Sequence, residues 1–193
     1  MKTRSYEMRA RAASAAASAE RILSSARRQL QARPYDQITL EEVAADAGVT
    51  VQTVLRKFGS KEGIVRAIAA RVQPEVVASR DLAPAGDWVG ALANLIEHYE
   101  RDGDETLQLL RQELRVPVFA QITAFGRAYH GQWVERVFAP WLDGRRGADR
   151  ARLHAQLVAV CDVYTWFLLR RQAGLSRRAT EQAMRELLEG VLQ

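Results

Sequence analysis

The sequence has little or nothing of several features that mark common classes of protein. It contains one cysteine, Cys161, among 193 residues, so no disulfide can form within the chain. The apolar residues around it predict a buried, unreactive thiol, and nothing indicates an oxidising compartment. No stretch approaches the roughly 18 uninterrupted apolar residues of a membrane helix, and the first 20 residues lack the apolar core of a signal peptide. These absences predict a cytoplasmic protein that does not enter a membrane.

The sequence also lacks a recognisable catalytic or metal-binding arrangement. His98, His130 and His154 lie on three different predicted helices, and no His-Glu-x-x-His motif or glycine-rich phosphate loop is present. A thiol nucleophile would require Cys161 to pair with a histidine, and buried thiols are usually inert. We therefore expect no enzyme, no cofactor and no metal site.

What the sequence does contain is helical patterning throughout, without strand patterns, repeats or low-complexity segments beyond an alanine-rich run near residue 12. It predicts an all-α protein of about nine helices. The positive charge is concentrated at one end: residues 1–80 carry 14 Lys and Arg against 8 Asp and Glu, a net +6, whereas residues 81–193 carry a net −1. Such asymmetry is typical of a surface that binds a polyanion, although many soluble domains carry a similar imbalance.

The clearest motif lies within residues 38–61, where two short helices flank a glycine. Thr39 can cap the first helix, and Glu42, three residues later, completes a capping box. Gly48 suits the left-handed conformation at a helix end, and Thr50 can cap the second helix. This arrangement predicts a helix-turn-helix. The polar and basic positions interleaved in its second helix are Gln52, Thr53, Arg56 and Lys57.

The same stretch resembles the amino-terminal part of the tetracycline-repressor (TetR) family. The resemblance is free of gaps and covers about residues 18–68. It implies a three-helix DNA-binding domain, a connecting helix, and a helical carboxy-terminal domain for ligand binding and dimerisation. The positions that carry it are Arg21, Ile22, Leu23, Thr39, Val43, Ala44, Ala47, Gly48, Val49, Thr50, Thr53, Val54, Phe58, Ser60, Lys61 and Glu62.

The resemblance also implies which residues meet DNA. Phosphate contacts are usual at the positions of Thr39, Thr53, Lys57 and Lys61. Thr50, Val51 and Gln52 form the first turn of the recognition helix, where base edges are met; Gln52 can bond adenine and Val51 can pack on a thymine methyl. The family usually has a phosphate-binding tyrosine where this chain has Leu55, so that contact is either missing or replaced. The full candidate set is Thr39, Thr50, Val51, Gln52, Thr53, Leu55, Arg56, Lys57 and Lys61.

The sequence predicts four segments. Residues 1–12 form a basic, flexible arm that either touches DNA or is a solvated tail. Residues 13–59 contain the helix-turn-helix, with helices at 39–46 and 50–58. Residues 60–79 form the connecting helix, which Pro74 should kink or end. Residues 80–193 form the ligand-binding and dimerisation domain, with helices expected at 87–99, 104–114, 117–140, 149–173 and 176–192 and a break at 101–103.

The carboxy-terminal part is rich in aromatic residues. They either line a cavity for an apolar or aromatic ligand, with a few polar anchors, or simply fill the core. His130 is a further candidate anchor. The candidate ligand-binding residues are Trp88, His98, Tyr99, Phe125, Tyr129, Trp133, Asp162 and Trp166.

Together these features predict a homodimeric repressor that a small-molecule effector releases from a palindromic double-stranded DNA operator. The alternative is a regulator or activator that binds DNA independently of any ligand, with a carboxy-terminal domain that only dimerises. An enzyme fused to a helix-turn-helix ranks last, because no catalytic site is recognisable.

Overall fold

A computed structural model of the chain describes the backbone of residues 2–193 and the side chains of residues 13–193. The described part is all-α and contains no strand, as predicted. Its helices, in chain order, are α1 (Lys2–Ala32), α2 (Leu40–Asp46), α3 (Val51–Phe58), α4 (Lys61–Arg80), α5 (Trp88–Gln112), α6 (Pro117–Val137), α7 (Ala139–Leu142), α8 (Gly147–Val160), α9 (Val163–Phe167) and α10 (Arg177–Leu192), with a 3-10 turn at Tyr35–Gln37 and a π-helical segment at Leu168–Gln172.

The chain divides after Val72 into two compact units. The amino-terminal unit ends at Val72 and the carboxy-terminal unit begins at Gln73, so the division falls inside α4, the predicted connecting helix.

The amino-terminal unit has its own apolar core, to which each of its four helices contributes. The periodic apolar positions of the sequence lie inward, because each amphipathic helix buries its apolar stripe. Ile22 of α1, Val54 of α3 and Ile64 of α4 are each at most 1% exposed. The buried members are Ile22, Leu23, Ala26, Ile38, Val43, Ala44, Ala47, Val54, Ile64 and Ile68.

The turn between α2 and α3 is built as the sequence predicts. The Thr39 hydroxyl accepts the Glu42 N–H at 3.2 Å, and Glu42 Oε2 accepts the Thr39 N–H at 3.0 Å, which completes the capping box. Gly48 has φ +64°, a conformation that costs other residues a Cβ clash. Thr50 Oγ1 accepts the Thr53 N–H at 3.2 Å and starts α3.

Side chains of α1 brace the end of α2. Arg21 Nε donates to the Ala47 carbonyl at 3.0 Å, and the fully buried Ser25 hydroxyl donates to the Val43 carbonyl at 3.3 Å. The last carbonyls of a helix have no partner within it, so the Arg21 bond satisfies the Ala47 carbonyl at the turn. The Ser25 bond is a second one to the Val43 carbonyl, which also accepts the Ala47 N–H at 3.0 Å.

The carboxy-terminal unit packs α5, α6, α8, α9 and α10 around a second core. Burying large side chains of this kind contributes about 1.5–3 kcal/mol each. Trp133 and Trp166 are its largest members and are 1% and 0% exposed. The buried residues are Ala91, Leu92, Leu95, Ile96, Tyr99, Leu107, Trp133, Val134, Val137, Phe138, Leu142, Leu153, Leu157, Cys161, Val163, Trp166, Met184 and Leu188.

Two predicted helix ends are absent, and the alternative of a kink at Pro74 stays a prediction. α4 continues through Pro74 to Arg80. α5 runs unbroken through residues 101–103, where the sequence predicted a break, so the separate helix at 104–114 is wrong. Gly103 stays helical because its missing side chain makes room for Trp166: a Cβ there would lie 2.7 Å from the indole ring.

The continuous helix predicted for residues 149–173 is also wrong. α8 ends at Val160, and Asp162 leaves the helical region with ψ 152° to cap α9, accepting the Tyr164 N–H at 2.8 Å. Asp is prone to this because its short carboxylate competes with the helical pattern for backbone N–H groups. Thr165 Oγ1 donates to the Ala159 carbonyl at 2.6 Å, which satisfies an acceptor at the end of α8.

The basic arm predicted for residues 1–12 concerns side chains that lie outside the described residues. The backbone of α1 begins at Lys2, whereas the sequence placed the helix start near Ala12.

Candidate nucleic-acid interface

The outward face of α3 presents the residues that the sequence assigned to DNA. Gln52, Leu55 and Arg56 are exposed, with Leu55 at 42%, while Val54 between them is 1% exposed and anchors the helix. Val51 is half-buried and packs against the core of the amino-terminal unit, so only part of it is available to a thymine methyl. Among the described residues, none hydrogen-bonds the Gln52 or Arg56 side chain, which leaves their donors available.

The three threonine hydroxyls of the candidate set already have partners. Thr39 Oγ1 lies 3.1 Å from Glu42 Oε2, and Thr50 Oγ1 lies 3.0 Å from Thr53 Oγ1. The hydrogen bond from Arg33, followed by that from the Thr39 backbone, holds the pKa of Glu42 below its usual range, so Glu42 is ionised at neutral pH. A phosphate at Thr39 therefore has a carboxylate beside it.

The two candidate lysines are held by backbone carbonyls. Lys57 Nζ donates to the Ala15 carbonyl on α1 at 2.6 Å. Lys61 Nζ donates to the Tyr35 and Ile38 carbonyls, each at 2.8 Å, and lies 4.0 Å from the centre of the Tyr35 ring. Both ammonium groups thus fasten the amino-terminal unit together, a role that the sequence did not predict.

The 3-10 turn at Tyr35–Gln37 is also held by the Tyr35 side chain. Its hydroxyl donates to Glu62 Oε1 at 2.7 Å. That hydrogen bond is the main reason that the pKa of Glu62 lies below its usual range, while burial raises the pKa of Tyr35. Lys61 and Glu62 therefore clamp the 3-10 turn onto the start of α4.

The junction between α3 and α4 is very tight. Gly59 ends α3 with φ +75°, and Ser60 Oγ accepts the Gly63 N–H at 3.1 Å to start α4. A Cβ at Gly63 would lie 1.8 Å from the Phe58 carbonyl oxygen, so only glycine fits at this approach. The orientation of α3 is therefore tied directly to the first turn of α4.

The candidate ligand-binding residues do not form one group. Tyr99 and Trp166 pack together with ring centres 5.9 Å apart and belong to the core. Phe125 and Tyr129 stack at 6.5 Å on α6. His98 lies 5.4 Å from Tyr99 between ring centres, with its Nδ1 3.4 Å from Asp102 Oδ2, and Trp133 shares the core with Tyr99 and Trp166. Asp162 caps α9, and Trp88 lies beside Arg185.

Two buried polar residues accompany the Trp133 ring. His130 is 7% exposed and Arg80, at the end of α4, is 5% exposed. The sequence suggested His130 as an anchor but missed Arg80, because a basic residue in the last helical turn is typical of an exposed partner for the helix dipole.

Three further features of the described residues concern the cysteine, metal-binding groups and membrane-spanning helices. Burial raises the pKa of the Cys161 thiol to about 12, which keeps it protonated. No group of three or more His, Cys, Asp or Glu side chains among the described residues is arranged to hold a metal. None of the described helices combines the length and apolarity needed to cross a bilayer.

Comparison with known proteins connects this geometry to a family. Residues 22–68, which include α2, α3 and the start of α4, match the family of bacterial regulatory proteins named tetR. The fold is similar to a crystal structure of a protein assigned as a transcriptional regulator in Pseudomonas aeruginosa PAO1, with a TM-score of 0.69 and 15% identity over 90% of this chain and 89% of that one. No curated protein sequence matches the chain. The part of the chain that holds the helix-turn-helix, residues 22–68, is therefore similar to the tetR family of bacterial regulatory proteins.

Proposed function

We propose that the protein is a homodimeric repressor that binds a palindromic operator and is released when a small organic molecule binds the carboxy-terminal unit. The observation that carries the DNA-binding part is the outward face of α3, where Gln52, Leu55 and Arg56 are exposed next to the capped amino-terminal turn. A recognition helix presents its first turn to base edges in the major groove. Gln52 can bond adenine there, and Arg56 can bond guanine or phosphate.

Two copies are needed to read a palindrome, because the half-sites must lie about 34–36 Å apart, or a multiple of that distance. Exposed apolar side chains on the last helices support a dimer: Tyr164 is 49% exposed, Leu168 53% and Leu187 46%. Large apolar residues exposed in this way are typical of a surface that a partner covers.

Release follows from population shift. A ligand that binds better to a conformation with the wrong half-site spacing lowers the fraction of protein that fits the operator. A differential affinity of about 1–3 kcal/mol changes DNA affinity roughly 5- to 150-fold. α4 is the natural carrier of this signal, since it joins the α3 junction to the carboxy-terminal unit in one unbroken helix.

The DNA-binding part is tested by selecting operator sequences from a random duplex library. The affinity of the protein for the selected duplex is then measured at several salt concentrations. A palindrome and a steep fall of affinity with salt are expected. Gln52→Ala should weaken binding to the selected site by about 1–3 kcal/mol with little effect on random DNA. Gln121→Ala, a change of an exposed glutamine on α6 and outside the helices expected to dimerise, is the matched control and should alter neither. Failure to select any palindrome would contradict the proposal.

The dimer is tested separately by sedimentation. Leu168→Glu and Leu187→Glu should each yield monomers that lose operator binding, because a charge cannot be buried unpaired at an interface. Leu114→Glu is the control, since Leu114 is 97% exposed and lies outside α8 to α10. Wild-type monomers at micromolar concentration would refute this part.

The alternative, a regulator independent of ligand, is favoured by the close packing of Trp133 and Trp166 in the core. A thermal-shift screen separates the two. Compounds that raise the melting temperature and also release DNA support the effector mechanism, whereas stabilising compounds that leave DNA binding unchanged support the alternative.

A further inference from the structure

Arg80 is a cation in the interior of the carboxy-terminal unit. Only 5% of its surface is exposed, although arginine is almost never buried without a partner. Its guanidinium cannot lose its proton at any physiological pH. The backbone helps to fix it, since the Arg80 carbonyl accepts the Trp133 indole N–H at 3.3 Å.

The contacts of the guanidinium are with neutral groups. Nη2 lies 3.0 Å from His130 Nδ1, and the group sits over the Trp133 ring at 4.3 Å and the Tyr129 ring at 5.4 Å. Burial, and then the charge of Arg80, lower the pKa of His130 to about 4, so the imidazole is neutral at pH 7. Nε of Arg80 is buried and donates to nothing in the described structure.

The carboxylates of Asp81 and Asp162 form hydrogen bonds or ion pairs with groups other than the Arg80 guanidinium. Asp81, the next residue, pairs with Arg136 and accepts the Tyr129 hydroxyl at 2.8 Å. Asp162 accepts a backbone N–H to cap α9, and burial raises its pKa. Among the described side chains, no carboxylate lies within 4.0 Å of the Arg80 guanidinium. The groups in direct contact with its charge in the described structure are ring faces and one neutral hydrogen bond, and Asp162 acts on it at longer range. These interactions recover part of the cost of removing the charge from water.

An aromatic ladder leads from the surface to this charge along α6. Phe125, Tyr129 and Trp133 recur every four residues, which places them on one helical face. Their exposure falls along the ladder: Phe125 is 47% exposed, Tyr129 is half-buried and Trp133 is 1% exposed. The ladder thus joins solvent to the guanidinium through apolar, polarisable surface.

We propose that Arg80 is the anchor of an effector site for an organic carboxylate, whose apolar or aromatic body packs along Phe125 and Tyr129. This assignment rests on the proposed effector function and names the chemistry of its ligand. The carboxylate takes the fork formed by the Nε–H of Arg80 and a neighbouring N–H of the same group, the geometry in which guanidinium binds a carboxylate through two hydrogen bonds.

The surroundings select a single negative charge. One guanidinium balances one anion, and the neighbouring His130 is neutral. A phosphate dianion would bring a second charge into an aromatic environment where, among residues 13–193, Arg80 is the only buried Arg or Lys, and unpaired buried charge is strongly unfavourable. A neutral amide of the same shape lacks the charge and would place an N–H against the fork.

The test compares matched ligands on the full-length protein. Thermal shift is measured with benzoate, phenylacetate, hexanoate and octanoate, each beside its carboxamide, and with inorganic phosphate. At least one carboxylate should raise the melting temperature in a saturable manner, and its amide should bind at least about tenfold more weakly because charge-assisted hydrogen bonds are lost. Inorganic phosphate should have no saturable effect.

Two variants locate the response. Arg80→Met keeps the length of the side chain and removes the charge; the ligand-free variant should be as stable as the wild type or more so, since an uncompensated buried charge is gone. It should not respond to the carboxylate, and Arg80→Gln should behave likewise if the Met variant fails to fold. Arg127→Met removes an exposed guanidinium on the same helix as the ladder, one that pairs with Glu113, and this variant should respond as the wild type does.

The outcomes separate this proposal from the proposed function when DNA release is measured with the same compounds. Stabilisation that depends on Arg80 but leaves DNA affinity unchanged would uphold the carboxylate site and refute effector-driven release. Release by amides as effective as carboxylates, or undiminished release in Arg80→Met, would uphold an effector and overturn the carboxylate assignment. The assignment also fails if no carboxylate stabilises the wild-type protein at millimolar concentration.

Discussion

Replacing Lys61 by methionine separates a structural role from a phosphate contact. In the structure its ammonium donates to two carbonyls at 2.8 Å and faces the Tyr35 ring at 4.0 Å. Hydrogen bonds to charged groups contribute about 1.5–3 kcal/mol each, and a cation–π contact of this kind about 0.5–1 kcal/mol. Lys61 is half-buried, so solvent screens these terms, and we expect a loss of about 2–4 kcal/mol in the free energy of unfolding.

This loss should appear first in the melting of the amino-terminal unit. For a domain of this size 1 kcal/mol corresponds to about 4–8 °C, so Lys61→Met should lower its melting temperature by roughly 8–30 °C. The salt dependence of DNA binding, measured at a temperature where the variant is folded, should keep its slope.

A phosphate contact would give the opposite pattern. Each lost contact reduces the slope of log affinity against log salt by about 0.9, or about 1.8 for a dimer. Arg56→Met is the matched control, since Arg56 is exposed on α3 and should lower the slope without changing the melting temperature. A Lys61→Met protein with wild-type melting and a reduced slope would refute the structural role.

Three further predictions follow from single contacts. The pKa of His130 is lowered to about 4, so between pH 6.5 and 4 the unfolded chain binds a proton at His130 that the folded protein does not. The free energy of unfolding should therefore fall as the pH falls, by up to about 1.4 kcal/mol per pH unit. Denaturant titrations at several pH values should show a shallower fall for His130→Gln. Gly103→Ala places a Cβ 2.7 Å from the Trp166 ring and should cost about 1–3 kcal/mol, whereas Gly126→Ala, at an open helical site, should stabilise by about 0.5–1 kcal/mol; thermal melts decide both. Leu55→Tyr should tighten operator and random DNA about equally, by roughly 0.5–1.5 kcal/mol, if it restores a phosphate bond, and weakened operator binding alone would instead make Leu55 a base-reading residue.

Local chemistry made much of the fold predictable from the sequence. The predicted caps at Thr39 and Thr50 each accept the backbone N–H three residues later, because capping depends on residues close in sequence, and Asp87 and Ser176 cap α5 and α10 in the same way. Gly48 ends α2 for the same local reason.

The errors arose where distant residues decide. Gly103 packs directly against the Trp166 ring, far along the chain, and this contact is not visible in the local pattern that predicted a break. Asp162 breaks the helix predicted for 149–173, and apolar periodicity does not distinguish one long buried helix from two short ones.

In the candidate site, too, some features follow from the local sequence and others from tertiary contacts. The outward face of α3 followed from helical spacing: Gln52, Leu55 and Arg56 are exposed there, whereas Thr53 and Lys57 are only partly exposed. The engagement of Lys57 with Ala15, and of Lys61 with the Tyr35 turn, depends on tertiary contacts that no local pattern encodes. The same is true of Arg80, whose burial is visible only once α6 packs beside it.

The close approach of Gly63 to the Phe58 carbonyl has a practical consequence for engineering. With 1.8 Å between that oxygen and the place of a Cβ, the turn has no slack to absorb an insertion, a deletion or a larger residue. An exchange of α3 alone is therefore not expected to change the DNA specificity of this protein without disturbing the turn to α4. The exchanged segment must extend from Thr50 through Gly63, so that the helix is replaced together with the turn that sets its orientation.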